Sequence, residues 1–278
     1  MQEKSLKSLR LGIVGVGMVG GALRNYFEKK AIKPFLYDKG KNLGSVEEVN
    51  QADVIFICVP TPFNKEKGFD LSFIEEACQN IKGEKIIVIK STVLPGTTEK
   101  LQKRYSQHKF LFNPEFLSEA TADDDFENPD RQLIGYTKKS RDIAEEILYL
   151  LPWAPFEKIL PAAEVEMIKY FNNTFNAVKV IFVNQMYDLC QKIGINYDSV
   201  MHYAAKSKFI QTEDHLRIFH KGYRGYGGRC LPKDIRALIQ FANEQGVNLK
   251  LHKVVEEINN ELMKQQGSGD PEKFSKRN

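Results

Sequence analysis

The chain has 278 residues, 42% of them hydrophobic and 27% charged, enough apolar material for a core that needs no disulfide or metal staple. Its 40 basic and 36 acidic residues leave a net charge of +4, and the basic ones are scattered in short groups such as Lys65 and Lys67 rather than gathered into a nucleic-acid stripe. No apolar run approaches the roughly 18 residues of a membrane helix, and the opening MQEKSLKSLR has no apolar h-region, so neither membrane nor secretion is expected and the location reads as cytoplasmic.

Residues 11–16 read as a buried strand, followed by a helix over 18–30 with Val19, Ala22, Leu23 and Phe27 on one face. Strands follow at 34–37 and 54–59, a helix at 72–81, a strand at 85–89 and a turn at Pro95-Gly96. A helix at 98–106, strands at 110–112 and 132–136, and a helix at 143–151 complete the alternation. This pattern predicts an α/β fold, a Rossmann-like doubly wound parallel sheet over residues 1–153. Pro152, Pro155 and Pro161 cluster about Trp153, the texture of a domain junction. Beyond it the chain reads as a mainly helical second domain over 154–266. Val165, Ile168, Phe171, Phe175, Val178 and Phe182 recur three or four apart on a long helix. Helices are also expected at 197–205, 233–243 and 250–266, with an irregular glycine-rich stretch at 222–228 and a disordered tail over 267–278. The long helix carries more apolar surface than a small helical domain covers, so a homodimer is expected.

Gly15-Val16-Gly17-Met18-Val19-Gly20 fits the GxGxxG dinucleotide fingerprint directly after a strand and at the start of a helix. The first glycine would make the turn, the second admit a pyrophosphate, and the third pack helix on strand. The phosphates would meet free N–H groups at the helix N-terminus. Asp38 stands where an acid binds a ribose 2′-hydroxyl, which favours NAD over NADP; Lys39 and Lys41 soften that preference. The four cysteines, Cys58, Cys78, Cys190 and Cys230, have no metal-ligand spacing, and no metal is expected. The segment Asn113–Glu119 follows a strand, so it would lie at the carboxyl edge of the sheet, where such folds bind ligands. Lys169 and Asn173 are four apart on one helix face. Cys230 lies in GYGGRCLPKD beside two cations and Asp234, a setting that favours a thiolate.

Seven segments, GIVGVGMVGGAL, VIFICVPTP, KSTVLPGTT, FNPEFLSEATA, NPDRQLIG, EMIKYFNN and GYGGRCLPKD, together resemble the UDP-glucose/GDP-mannose dehydrogenases, in family order from Leu11 to Asp234. The resemblance implies NAD-dependent oxidation of a sugar-nucleotide alcohol, UDP-glucose or a relative, to the uronate. It implies that Cys230 forms a thiohemiacetal and then a thioester, with Lys169 and Asn173 at the oxyanion. Glu115 would activate water, and Asp234 with Thr92 and a water would take the alcohol proton. Cofactor contacts would come from Gly15 to Gly20, Asp38, Thr61, Thr92 and Glu119. Substrate contacts would come from Glu115, Phe116, Leu117, Lys169, Asn173, Tyr226 and Gly227, and Arg217 would reach a neighbouring subunit's substrate.

Some positions depart from the family pattern. No arginine follows Asp38, the run from Arg217 to Gly225 is short, and Arg229 stands where a small or aromatic residue is commoner. After Asp234 the sequence holds one more helix and a polar tail, so the family's third, nucleotide-binding domain is expected to be missing. Two other readings stay open: an NAD-binding, dimerising module without turnover, and a two-electron alcohol or hydroxyacid dehydrogenase. The second has no use for a cysteine at position 230.

Overall fold

The computed structural model describes residues 9–64, 66, 68–118, 120–210, 216–220, 222–267 and 271. Most of the expected tail, 268–270 and 272–278, lies outside them. The chain forms two compact units, Met1–Lys169 and Tyr170–Asn278.

The first unit begins with β1 (Leu11–Val14), α1 (Met18–Lys29), β2 (Phe35–Asp38), β3 (Leu43–Gly44), α2 (Val46–Val49) and β4 (Val54–Ile57). The small hairpin β5 (Phe63–Asn64) and β6 (Gly68–Phe69) precedes α3 (Ser72–Asn80), β7 (Ile86–Ile89), α4 (Thr97–Arg104) and β8 (Lys109–Phe112). Then come α5 (Ala122–Glu127), β9 (Gln132–Tyr136), α6 (Ala144–Leu150), β10 (Glu157–Pro161) and the long α7 (Ala162–Ile193).

Eight strands make one sheet in the order β10-β9-β8-β7-β4-β1-β2-β3. Its central strands β8, β7, β4, β1 and β2 are parallel. The sequences LGIV and VIFI are buried at all four positions, as expected for strands covered on both faces. Alternate side chains feed two cores. Ile13, Phe56, Val88 and Leu111 meet Leu23, Phe27, Phe126 and Ile147, which come from α1, α5 and α6. Ile55, Ile57, Ile87 and Phe110 meet Val49, Ile74, Leu101 and Val165, which come from α2, α3, α4 and α7. The sheet is therefore wound on both sides, and β1 has β2 on one side and β4 on the other, the switch point where such folds bind ligands.

The edges differ from an all-parallel sheet. β3 runs against β2, and β9 runs against β8 through Leu111–Tyr136 and Phe112–Gly135. β10 follows β9 in parallel, so residues 157–161, which the prolines mark as a junction, are instead an edge strand. Pro161 closes that strand, where no further ladder bond is needed from its nitrogen.

The second unit holds the rest of α7, then α8 (Tyr197–Ala204), the hairpin β11 (Phe219–His220) and β12 (Tyr223–Arg224), α9 (Leu231–Glu244) and α10 (Lys250–Gln265). Ala177 and Ile181 of α7 pack with Tyr226, Ile235, Val255 and Leu262. A smaller cluster gathers Val183, Cys190, Tyr197 and Ile218. Among the described residues no helix is long and apolar enough to cross a membrane.

A buried carboxylate ties α7 to α4. Glu166, fully buried, accepts from the Gly96 amide at 2.5 Å, the Thr98 amide at 2.8 Å and the Thr98 hydroxyl at 2.6 Å. It caps a helix whose own cap residue, Gly96, has no side chain to offer. Burial pushes this carboxyl up to about 7, against the pull of the Thr98 and Gly96 hydrogen bonds. The folded chain thus holds a proton that the unfolded chain releases above its ordinary value of 4.5. The group's stability is full below that value and is lost as pH rises through about 7. Urea denaturation of wild type and Glu166→Gln at pH 5 and pH 8 should show wild type losing up to about 3 kcal/mol relative to the variant. A pH-independent difference would contradict this account.

Candidate active site

The turn after β1 is built by three glycines in different ways. Gly15 adopts φ +87°, where a Cβ would stand 2.7 Å from the Cys58 carbonyl oxygen. A Cβ on Gly20 would stand 2.0 Å from the Gly15 carbonyl oxygen, so α1 rests directly on the strand end. Gly17 has nothing within 4 Å of its Cβ position, leaving its backbone open to a ligand at a helix N-terminus. Val16 is buried behind the turn, Met18 opens the helix exposed, and Val19 is half-buried. Asp38, at the end of β2, accepts from the Val16 amide at 2.7 Å and the Lys41 amide at 3.0 Å. The Lys41 ammonium donates to the Val16 carbonyl at 2.5 Å. Next to the turn, past β4 and β7, the buried Thr61 hydroxyl donates to the Thr92 carbonyl at 2.8 Å. Glu119 lies outside the described residues.

Polar groups are buried along the same carboxyl edge. Lys90, immediately after β7 and 3% exposed, donates to Asn113 Oδ1 at 2.5 Å. Asn113, immediately after β8, donates in turn to Gln132 Oε1 at 3.2 Å and the Leu133 carbonyl at 2.9 Å. Burial draws the Lys90 ammonium down to about 8, with Lys169 adding a smaller push the same way. Lys169, on α7, donates to the Glu115 carbonyl at 2.5 Å and to its Oε1 at 3.2 Å. The other carboxylate oxygen of Glu115 accepts from the Leu117 amide at 2.7 Å. The Phe116 ring lies 3.9 Å from the Arg131 guanidinium and 5.3 Å from the Lys169 ammonium. Glu115, Phe116, Leu117 and Lys169 are thus brought together.

In the second unit Asn173 donates to Asp234 Oδ2 at 2.6 Å, and Lys233 donates to Oδ1 at 2.5 Å. Asp234 is 1% exposed, in the first turn of α9. Cys230 is exposed and is the residue from which α9 starts. Tyr226 has its ring in the core of the unit, and Gly227 is half-buried. Arg217 lies exposed ahead of β11. Among the described residues no group of three His, Cys, Asp or Glu could hold a metal ion.

Two family models match the chain: the UDP-glucose/GDP-mannose dehydrogenase family NAD binding domain over residues 39–151 and the central domain over residues 163–261. The chain belongs to this family. It is 36% identical to UDP-glucose 6-dehydrogenase of Pseudomonas aeruginosa over 77% of its own length and 49% of that protein's. It is 32% identical to a UDP-glucose 6-dehydrogenase of Bacillus subtilis over 93% of its length and 56% of the relative's. It thus spans about half the length of the curated relatives it matches. The UDP-glucose dehydrogenase structure from Pyrobaculum islandicum superposes with a TM-score of 0.75 at 27% identity, covering 96% of this chain and 73% of that one. NAD is the cofactor of the family's N-terminal domain, and the open face at Gly17 with Asp38 beside it suits that dinucleotide.

Lys90 opens the segment KSTVLPGTT but the resemblance gives it no role; its one local signal is a cation directly after the all-apolar IIVI. The buried Glu166 has the same kind of signal, an acid with apolar neighbours in Val165 and Met167. Neither position announces its partner, because Asn113 and Thr98 are far away in sequence.

Exposure separates the thiols. Cys58 is half-buried, Cys78 and Cys190 are buried, and Cys230 is exposed; burial pushes the Cys78 thiol up to about 12. Under limiting iodoacetamide, peptide mapping should find Cys230 modified at least about tenfold faster than the other three. Equal labelling of Cys78 and Cys230 would show that the surface around Cys230 is misassigned.

Proposed function

We propose that the chain acts as a nucleotide-sugar dehydrogenase, oxidising the primary alcohol of UDP-glucose or a related sugar nucleotide to the uronate, with Cys230 as nucleophile. The observation that carries this reading is an exposed cysteine at the start of α9, four residues before a buried, hydrogen-bonded aspartate, in a chain of this family. Bound NAD⁺ would accept the hydride in each of the two oxidations. Asp234 takes the proton from the alcohol as the first hydride leaves. The Cys230 thiolate then adds to the aldehyde carbon, forming a C–S bond and an oxyanion that the Lys169 ammonium stabilises, with Asn173 orienting the same centre. Loss of the second hydride leaves a thioester. Water activated by Glu115 adds to it, and the C–S bond breaks to return the thiol. One alcohol, two NAD⁺ and one water give a carboxylate, two NADH and three protons. Thr61, Thr92, Glu119 and Asp38 serve the cofactor in this reading. Phe116, Leu117, Tyr226, Gly227 and Arg217 serve the substrate.

The assay is absorbance of NADH with a panel of sugar nucleotides, beside chromatography of the sugar product. Wild type should release two NADH per sugar, and Cys230→Ser should make no uronate while still binding NAD⁺. Uronate formed at the normal rate by Cys230→Ser would overturn the mechanism. NAD⁺ binding with no turnover on any sugar nucleotide would support a non-catalytic module instead.

We further infer a homodimer formed through α7. Phe171, Phe175, Phe182, Met186, Leu189 and Ile193 are exposed at helical spacing, and Phe171 stacks on Phe175 at 6.3 Å. A continuous apolar stripe of this length is an association surface, and a second copy of the same helix fits its self-matching character. Sedimentation at micromolar concentration should give a dimer for wild type and a monomer for Phe182→Glu. A wild-type monomer would refute the assignment.

A further inference from the structure

The stretch that leads to Cys230 is held by two side-chain amides of α10, and we propose that Asn259 and Gln266 are positioning residues for that thiol. This inference rests on the reading of Cys230 as nucleophile. Residues 225, 227 and 228 are glycines, and Gly225 and Gly228 have φ of +81° and +77°. So much glycine leaves the backbone little stiffness of its own. Among the described residues, the stretch past β12 has no strand partner for its peptide groups, and buried peptide groups must find partners.

The partners come from α10. Asn259, 1% exposed, accepts from the Tyr226 amide at 2.7 Å through Oδ1 and donates to the Tyr226 carbonyl at 2.8 Å through Nδ2. Gln266, the residue after α10, repeats the pattern two residues earlier on the strand. It accepts from the Arg224 amide at 2.8 Å and donates to the Arg224 carbonyl at 3.0 Å. Residues 224 and 226 flank Gly225, whose φ of +81° turns the backbone between them just past β12. Residues 259 and 266 lie two turns apart on one helix face. The helix thus presents two amides that pair with the backbone on either side of that turn. Each amide serves an N–H and a C=O at once, which fixes its orientation.

The close approach depends on Gly225, where a Cβ would stand 2.6 Å from Asn259 Oδ1. The Arg224 side chain anchors the same stretch to α7, through Asn184 Oδ1 at 2.9 Å and Asp188 at 2.7 Å. Nearer the thiol, the Gly228 amide donates to the Pro271 carbonyl at 2.9 Å. A nucleophile on a loosely held glycine loop would meet the aldehyde in many wrong orientations. Pinning Tyr226 at both its amide and its carbonyl, four residues before Cys230, removes that freedom.

The test compares Asn259→Ala, Asn259→Asp and Gln266→Ala with the exposed neighbour control Asn260→Ala. With the clamp released, the aldehyde should escape before the thiol captures it. NADH per sugar should fall from two toward one, semicarbazide should trap aldehyde, and kcat for uronate should drop at least about tenfold, with the NAD⁺ Kd within about twofold of wild type. Asn259→Asp keeps the acceptor for the Tyr226 amide and should fall between wild type and Asn259→Ala. If Asn259→Ala does not fold, Asn259→Asp and Gln266→Ala carry the comparison. Two NADH per sugar and an unchanged kcat in all the clamp variants would overturn the inference. If wild type itself makes no uronate, the function reading fails separately, and iodoacetamide labelling of Cys230 decides the clamp. A rate changed at least about threefold by Asn259→Ala but not by Asn260→Ala supports it; equal rates overturn it.

Discussion

The first turn of α1 lies so close to the end of β1 that no side chain fits between them: a Cβ on Gly20 would come within 2.0 Å of the Gly15 carbonyl oxygen. Backbone on backbone is a stiff contact, and it sets where the free N–H groups of the helix point. They lie beside Gly17, whose Cβ position has no atom within 4 Å. Asp38 then takes the Val16 amide and Lys41 takes the Val16 carbonyl, so the turn is gripped from β2 on its other side. The loops after β4 and β7 take their positions from the same strand order. The carboxyl edge of the sheet is therefore registered from one helix–strand contact.

That edge carries buried charge, which has to be explained. Lys90 and Lys169 are 3% and 4% exposed, and Lys169 pairs with Glu115. A buried ion pair is weak evidence for stability, because desolvation offsets most of its attraction. Lys90 makes the point more sharply, since its ammonium is drawn down to about 8 mainly by burial. Charges held this way at the mouth of an α/β sheet contribute little as structural glue. The apolar layers beneath, such as Ile57 and Ile89 at 0% exposure, supply the stability that makes this arrangement affordable.

How much of this the sequence shows depends on whether the signal is local. The runs LGIV, VIFI and IIVI identify β1, β4 and β7 within a residue or two, because a strand buried on both faces has to be apolar throughout. The three glycines of the turn are equally plain as a GxGxxG spacing, although only Gly20 meets a neighbour within six residues, while Gly15 meets Cys58 and Gly17 meets open space. β10 is hidden because EKILP alternates poorly and ends in proline, as an edge strand is free to do. The reversal of β9 is invisible for another reason: hydrophobic pattern does not record strand direction. Within the candidate site, Lys169, Glu115, Asn173 and Asp234 stand out by chemical type, but their pairing as Lys169 with Glu115 and Asn173 with Asp234 does not. Asn259 and Gln266 are the extreme case. Each is an ordinary helix polar residue until the backbone of residues 224 and 226 is laid beside it.

The long helix α7 joins these themes. Along its length Glu166 and Lys169 are committed to partners in the first unit, and Asn173, Asn184 and Asp188 to partners in the second. Glu166, Lys169, Asn173 and Asn184 are buried by these contacts, while Asp188 keeps about half its side chain in water, so the four buried residues mark the side of the helix that turns inward. The remaining side is where Phe171, Phe175, Phe182 and Leu189 fall. Nothing in helix propensity asks for phenylalanine there, because aromatic side chains lose rotamer freedom on a helix surface. Their recurrence at positions left over from the inward contacts leaves an apolar stripe exposed along the helix.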